Sequence, residues 1–338
     1  MCDESLPISF CLKVGFRSKI RSSLDAKRDS ELRKVGSYLS DKYYSEDVGV
    51  VVLDYNKPDL TQGCIEAIKN FNDLKIYLVN NGNSYRDSRS RFSCHRIIEN
   101  EYNLGFSAGM NAGIKAAVKD GCRYVVLLNN DARVTKSAIR KMIVCLERMQ
   151  NVGLVAPNKS YSSGLLSRQT THESGEQAPD SCNGTDDPNW IKPVNKIMGF
   201  CMATRIDVLS KAGLLDEDFF FGREDDEWSL RIESRGYSLA EITDSIVFHF
   251  VSSTTDFKST LSMSFLSYNM SRGRALLARK AYSSVTTQLF HTLWDSVLLE
   301  LKGMLISKRF HVEIITSALK GFNNGLHSEI KPPFTINQ

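Results

Sequence analysis

The sequence predicts an α/β domain with a mostly parallel sheet, and two patterns indicate it. Apolar, β-branched runs at 49–53, 75–79 and 123–128 alternate with segments of helical periodicity. Each of these runs ends directly in Asp or Asn. Because the carboxyl ends of parallel strands meet at one edge of a sheet, we expect these polar side chains to face a common ligand site.

The composition of the 338-residue chain is that of a globular protein, with 42% hydrophobic and 24% charged residues. We expect four regions. A polar segment with loose helical spacing, 1–47, forms an N-terminal helical extension, and 48–256 form the α/β domain. Within that domain, 158–195 are rich in Ser, Thr, Gly, Asn, Asp and Pro, which predicts a long mobile loop. A C-terminal helical region, 257–338, follows.

The remaining elements follow from local periodicity. A helix capped by Asp59 follows the first strand, and a Gly-rich loop opens a helix that ends near Lys119. Further strands are predicted at 95–98, 196–204, 238–242 and 245–249. Further helices are predicted at 137–149, 206–212, 261–281, 285–305 and 312–322, with another starting near Glu224.

Charge and cysteine usage limit the functional classes. A formal charge of +4 is too small to indicate nucleic-acid binding. Eight Cys without a C-x-x-C pair, and the absence of an apolar leader or a run of about 18 apolar residues, predict a cytoplasmic protein without membrane spans. Residues 257–331 carry ten Lys or Arg against four acids. That excess fits either peripheral contact with the inner face of an anionic membrane or a solvated helical subdomain.

The most unusual stretch holds four consecutive acids, Glu224–Glu227, separated by two residues from Phe219–Phe221 and directly before Trp228. Adjacent carboxylates repel one another, so a folded protein keeps such a run either fully solvated or next to a cation or a proton. Acids in a first helical turn also suit the positive end of the helix dipole. The stretch alone leaves a solvated helix start and a functional site equally open.

Five motifs follow one another along the chain. They are Asp54-Tyr55-Asn56 after the first strand, Asn80-Asn81-Gly82 after the second, the Gly-rich stretch from Asn103 to Asn111, Asn129-Asn130-Asp131 after the buried strand, and the acidic stretch ending in Arg231. Each alone could be an ordinary strand end, turn or helix start. In this order and spacing they resemble the inverting glycosyltransferases of family 2, in particular the bacterial branch that includes rhamnosyltransferases. The resemblance covers about 48 to 282 and implies a GT-A fold, a Rossmann-like nucleotide-diphospho-sugar transferase domain.

On the donor side, the resemblance implies binding of a UDP- or dTDP-linked sugar. The implied contacts are Leu53, Tyr55, Asn56, Asn80, Asn81, Gly105, Gly109, Asn111, Asn129 and Asn130. Glycines let a backbone approach the nucleotide, and a helix N-terminus favours its anionic groups. Asn80 departs from the Asp that the family uses at this position to bind the base.

The resemblance also implies a divalent cation, Mn²⁺ or Mg²⁺, which offsets the charge of the leaving diphosphate. Asp131 stands at the only acidic position of the metal motif, and His249 matches a late His near the metal and diphosphate. The competing interpretations are that Asp131 caps a turn and that His249 is structural.

On the acceptor side, alignment on Arg231 makes Asp225 the catalytic base that deprotonates the acceptor hydroxyl, with Asp226 as the obvious misassignment. Repulsion from the neighbouring acids should raise the proton affinity of Asp225. The acceptor-side residues are Gly199, Phe200, Glu224, Asp226 and Glu227. The acceptor that the resemblance implies is a glycan or a lipid-linked glycan in bacterial surface polysaccharide synthesis.

Two other functions remain open at this stage. A non-catalytic nucleotide-sugar-binding scaffold protein would explain Asn in place of acids at 80 and 129. A sugar-nucleotide pyrophosphorylase is favoured less, because it would need a Gly-rich, basic phosphate loop after the first strand, where the chain has Asp54-Tyr55-Asn56-Lys57-Pro58.

Overall fold

A computed structural model describes the chain over residues 47–71, 74–82, 92–161, 190–249, 260–281 and 312–329. The predicted N-terminal extension, apart from its last residue, and the predicted helix 285–305 lie outside the described residues. The strands are β1 Val48–Asp54, β2 Leu74–Asn80, β3 Arg96–Glu99, β4 Tyr124–Asn129, β5 Ala132–Val134, β6 Val152–Tyr161, β7 Ile191–Val194, β8 Cys201–Arg205 and β9 Ser238–His249. The helices are α1 Pro58–Ile68, α2 Gly105–Lys119, α3 Lys136–Arg148, α4 Ile206–Ala212, α5 Glu224–Ser234, α6 Thr260–Ala281 and α7 Val312–His327.

The strands form one sheet in the order β3-β2-β1-β4-β8-β6-β9-β5, with β7 added on β9. The longest ladders, β1 with β2, β1 with β4, and β6 with β9, are parallel. Strand β8 runs antiparallel between β4 and β6 and joins the two parallel parts. The predicted α/β domain with a mostly parallel sheet is confirmed.

Helices cover both faces of the sheet, as the nearly continuous apolar strands require. Alternate residues of β1 serve opposite faces: Val50 and Val52 pack with α1 and α3, whereas Val51 packs with α2, α4 and α5. Trp228 of α5 is fully buried in the second of these layers and donates its indole N–H to the Gly213 carbonyl. The acidic helix is therefore anchored in the core by its apolar side.

The predicted Asp59 cap is wrong, because α1 begins at Pro58 and no side chain caps it. The predicted strands differ from the structure most at two places. The strand predicted at 196–204 starts only at Cys201, because the preceding backbone bonds to α5 instead: the Ile197 N–H donates to Ser229 Oγ and the Gly199 N–H to Asp225. The strands predicted at 238–242 and 245–249 are the single strand β9.

In the predicted mobile loop, 158–195, the described residues at both ends belong to strands β6 and β7. Residues 162–189 lie outside the described part of the chain. In the C-terminal region, the described segments are the helices α6 and α7, which pack against each other. Among the described residues, no helix combines the length and apolar character needed to cross a bilayer.

Candidate active site

The carboxyl end of β1 carries a buried acid, Asp54, that fixes the turn after the strand. Its carboxylate accepts hydrogen bonds from the Lys57 N–H at 3.2 Å, from the Thr61 hydroxyl, and from the Asn130 amide at 3.1 Å. Asn130 therefore ties two strand ends together inside the protein. The same turn leaves the Tyr55 ring 51% exposed, so the ring is available to a ligand.

At the end of β2, the amides of Asn80 and Asn81 are both buried and both bonded within the protein. Asn80 Nδ2 donates to Glu99 Oε2 at 2.6 Å. Asn81 Nδ2 donates to Asn103 Oδ1 and to the Gly105 carbonyl, at 2.9 and 3.0 Å. Asn81 thereby holds the shape of the Gly-rich loop, and the carboxylate missing at position 80 is present next to it at Glu99.

The Gly-rich loop uses its glycines for close approach of other protein segments. Gly105 has φ +82°, and a Cβ there would lie 2.5 Å from the Phe220 carbonyl oxygen. A Cβ on Gly109 would lie 2.7 Å from Leu53 Cδ1. Asn111 is buried and donates to the Leu215 carbonyl and to Glu217 Oε1, at 2.8 and 2.9 Å. Gly105 and Asn111 therefore contact the segment before α5, and Gly109 contacts the end of β1.

The predicted metal ligands meet after β4. Asp131 Oδ1 lies 3.3 Å from His249 Nε2, because Ala132 pairs directly with His249 across β5 and β9. Asp131 is 2% exposed, and the His249 ring stacks on Phe200 with centroids 5.1 Å apart. The nearby Asn129 Oδ1 is buried and makes no hydrogen bond within the described part of the structure.

This pair fits a divalent cation that is shared with a ligand. A carboxylate oxygen and an imidazole nitrogen are both donors that Mn²⁺ accepts, and Mg²⁺ accepts the carboxylate. Over the described ranges, no group of three or more His, Cys, Asp or Glu is arranged to hold a metal. A cation at this pair would therefore take further oxygens from a bound diphosphate or from water.

Asp225 lies in the first turn of α5 and faces the chain before β8. Its Oδ2 accepts the Gly199 N–H at 3.0 Å, and its Oδ1 accepts the Asp226 N–H at 2.9 Å. Each carboxylate oxygen retains a further acceptor position. Burial raises the pKa of Asp225, and the charge of Asp226 raises it further, while Lys196 opposes the shift.

The other three acids of the stretch are buried, so the interpretation as a solvated helix start is wrong. Asp226 binds Lys196 and also Arg223, the latter at 2.8 Å. Glu227 forms a two-pronged ion pair with Arg231, with both contacts at 2.7 Å. These two acids are neutralised by cations inside the protein, and Glu227 is directed away from Asp225 towards the core side of α5.

Glu224 is the exception among these acids. Burial, and next the charge of Asp225, raise its pKa to about 8. Its Oε2 is buried and makes no hydrogen bond within the described structure. At neutral pH this carboxyl group is therefore mostly protonated and can donate a hydrogen bond beside Asp225.

Two consecutive residues connect the Asp131–His249 pair to Asp225. The Gly199 N–H donates to Asp225, while the Phe200 ring stacks on His249 and the Phe200 carbonyl accepts the Asn129 N–H at 3.0 Å. The structure thus brings the ends of β4 and β9 and the first turn of α5 to one place at the edge of the sheet. A nucleotide phosphate and an acceptor hydroxyl could meet there.

Sequence reasoning missed several residues that build this site. Glu99 stands at the end of β3, and this position was a usable signal. Lys196 and Arg223, which neutralise Asp226, carry no recognisable pattern in the sequence.

Comparison with known proteins gives one family match. The model of the family described as "Glycosyl transferase family 2" matches residues 49–213, just under half of the chain. The match supports glycosyl transfer, and the described architecture confirms the predicted mixed α/β fold with a mostly parallel sheet.

One curated relative is the "Low-salt glycan biosynthesis hexosyltransferase Agl10" of Haloferax volcanii. It is 22% identical over 299 residues, covering 85% of this chain and 94% of the relative. Among solved structures, S. aureus TarS 1-349 superposes with a TM-score of 0.48 at 10% identity, over 83% of this chain and 81% of that one. GalNAc-T7 with UDP, GalNAc and Mn²⁺ gives a TM-score of 0.46 at 13% identity, over 69% and 52%.

Proposed function

We propose that the protein is a metal-dependent, inverting glycosyltransferase that moves a sugar from a nucleoside diphosphate to an acceptor hydroxyl in one displacement. The observation that carries the proposal is the link between the Asp131–His249 pair and the partly buried Asp225 through Gly199 and Phe200. A cation and a base at one sheet edge match what this reaction needs on the two sides of the anomeric carbon.

On the donor side, the exposed Tyr55 ring can stack on the base of a UDP- or dTDP-linked sugar. Asp131 and His249 would hold Mn²⁺ or Mg²⁺ together with the diphosphate, and that cation stabilises the charge of the leaving group. Asn129, at the carboxyl end of β4, is the residue that would contact the ribose.

On the acceptor side, Asp225 takes the proton of the attacking hydroxyl. Its raised pKa makes it a stronger base than a solvent-exposed Asp. The bond between the acceptor oxygen and the anomeric carbon forms as the bond to the diphosphate breaks, and the proton moves to a carboxylate oxygen of Asp225. The protonated Glu224 can donate a hydrogen bond to the acceptor and thereby help to orient it.

The acceptor we propose is a glycan or a lipid-linked glycan in bacterial surface polysaccharide synthesis. The Haloferax relative, a glycan biosynthesis hexosyltransferase, supports a hexose donor and a glycan product. The basic C-terminal region, with ten Lys or Arg against four acids over 257–331, supports contact with the anionic inner face of the membrane.

A donor screen tests the proposal. Purified protein is scanned for thermal stability with UDP-, dTDP- and GDP-sugars, with and without Mn²⁺, and donor hydrolysis is measured in parallel. We expect one nucleotide class, in the presence of Mn²⁺, to stabilise the fold by about 2.7 kcal/mol at 100 times its Kd and to be hydrolysed slowly. Stabilisation without hydrolysis or transfer, across a panel of donors and acceptors, would instead favour the non-catalytic binder.

A further inference from the structure

Helix α6 contacts the turn that leads into α5, and one lysine makes most of that contact. The Lys280 ammonium binds Asp216 and, at 2.6 Å, Asp218 Oδ2, and it lies 5.7 Å from the centroid of the Phe219 ring. The Lys280 side chain is 10% exposed and that of Asp216 is 3% exposed. A buried cation between two carboxylates ties this turn firmly to α6.

A second set of contacts lies about two helical turns earlier in α6. Arg272 Nη1 donates to the Asp218 carbonyl. A Cβ on Gly273 would lie 2.6 Å from the Gly222 carbonyl oxygen and 3.2 Å from Arg223 Cβ. Helix α6 therefore lies directly on the backbone immediately before the first turn of α5.

The start of α5 lacks the usual local signal that fixes where a helix begins. Its N-cap residue, Arg223, has φ +75°, and no side chain caps the helix. Gly222 before it has φ +85°. A left-handed Arg without a capping hydrogen bond persists only when surrounding contacts impose it, and α6 makes such contacts at Gly222, Arg223, Asp216 and Asp218.

We propose that Lys280 is a positioning residue that holds 216–223 in place so that Asp225, the proposed base, meets the Gly199 N–H. The inference rests on the proposed function, and it adds a residue far from the reacting atoms, on a helix outside the matched range 49–213. Because Lys280 acts only through this segment, its loss should displace Asp225 most, with a smaller effect on Gly105 and Asn111, which contact the same segment.

Arg279 offers a matched control. It is the preceding residue in the last turn of α6, but its guanidinium donates to the Gly325 and Ser328 carbonyls and so holds α6 to the end of α7. Lys280→Met and Arg279→Met each remove one positive charge from the same helix end. Both are expected to lower the melting temperature, and only Lys280→Met should loosen 219–227.

Hydrogen exchange followed by mass spectrometry tests this without any activity. In Lys280→Met, backbone amides of 219–227 should exchange at least tenfold faster than in the wild type, while Arg279→Met leaves them unchanged. Equal exchange in the two variants, or no change in either, overturns the proposal. If Lys280→Met does not fold, Asp218→Asn, which removes one of its two carboxylate partners, should give a smaller increase in the same peptides.

Turnover gives the second readout, with the UDP-, dTDP- or GDP-sugar that the wild type hydrolyses in the presence of Mn²⁺. Lys280→Met should lower kcat about tenfold with a smaller increase in KM for the donor, because Gly105 and Asn111 contact the same segment, and Lys280→Arg should restore most of the loss. An unchanged kcat, or a KM increase that Arg279→Met reproduces, contradicts a positioning role. Absence of hydrolysis by the wild type would count against the proposed function alone, since the exchange experiment still decides the role of Lys280.

Discussion

Asp225→Asn is expected to lower sugar transfer by about 10²- to 10⁴-fold, the range for loss of a general base, while nucleotide binding stays near that of the wild type. The amide cannot accept the proton of the acceptor hydroxyl. It can still accept one of the two backbone N–H bonds that now reach the carboxylate from Gly199 and Asp226. Transfer is measured as donor consumption with an acceptor, and binding as the Kd of the nucleoside diphosphate with Mn²⁺.

Asp226→Asn is the matched control for that experiment. Asp226 is bound by Lys196 and Arg223, so its loss should disturb the site but leave the base in place. We expect a smaller decrease in transfer than for Asp225→Asn. Retained turnover in Asp225→Asn together with lost turnover in Asp226→Asn would reassign the base to Asp226.

Glu224→Gln is expected to stabilise the protein increasingly as the pH rises from about 5 to 8. Burial raises the pKa of Glu224 from 4.5 to about 8, so in this interval the folded chain holds a proton that the unfolded chain releases. The contribution of Glu224 to the unfolding free energy of the wild type is therefore fully present below pH 4.5 and is lost as the pH rises through 8. Gln does not titrate, so the difference in unfolding free energy should grow by up to about 1.4 kcal/mol per pH unit.

Glu227→Gln should show the opposite sign, because it leaves the Arg231 guanidinium, 11% exposed, without its carboxylate. Breaking such a pair costs about 3–5 kcal/mol. Urea unfolding of both variants and the wild type at pH 5, 6, 7 and 8 gives the comparison. A constant difference between Glu224→Gln and the wild type over this range would show that Glu224 is ionised in the fold.

The fold could be predicted because its strands are long, apolar and separated by clear helical periodicity. Strand β4, for example, is buried over almost its whole length and is followed directly by the polar residues that the site uses. The pairing of Ala132 with His249 was not predictable, since it depends on which distant strand completes the sheet edge.

The site was less predictable at the level of single side chains. Asn81 and Asn111 were expected at the nucleotide, but both amides are bonded to the protein itself. Sequence shows a residue type at a position, and it does not show which hydrogen bonds the fold already satisfies there. Burial is also not visible in the sequence. The raised pKa of Asp225 was therefore expected from like-charge repulsion, whereas burial is the larger cause.

The central claim is that Asp131 and Asp225 serve one site in different roles, and nucleotide binding separates those roles most directly. Isothermal titration with UDP or dTDP, with and without Mn²⁺, is run on the wild type, Asp131→Asn and Asp225→Asn. The account predicts that Asp225→Asn keeps the Mn²⁺-dependent gain in affinity and that Asp131→Asn loses it. The KM for the donor should accordingly rise in Asp131→Asn and stay near that of the wild type in Asp225→Asn. An unaltered Mn²⁺ effect in Asp131→Asn, or its loss in Asp225→Asn, would contradict the account.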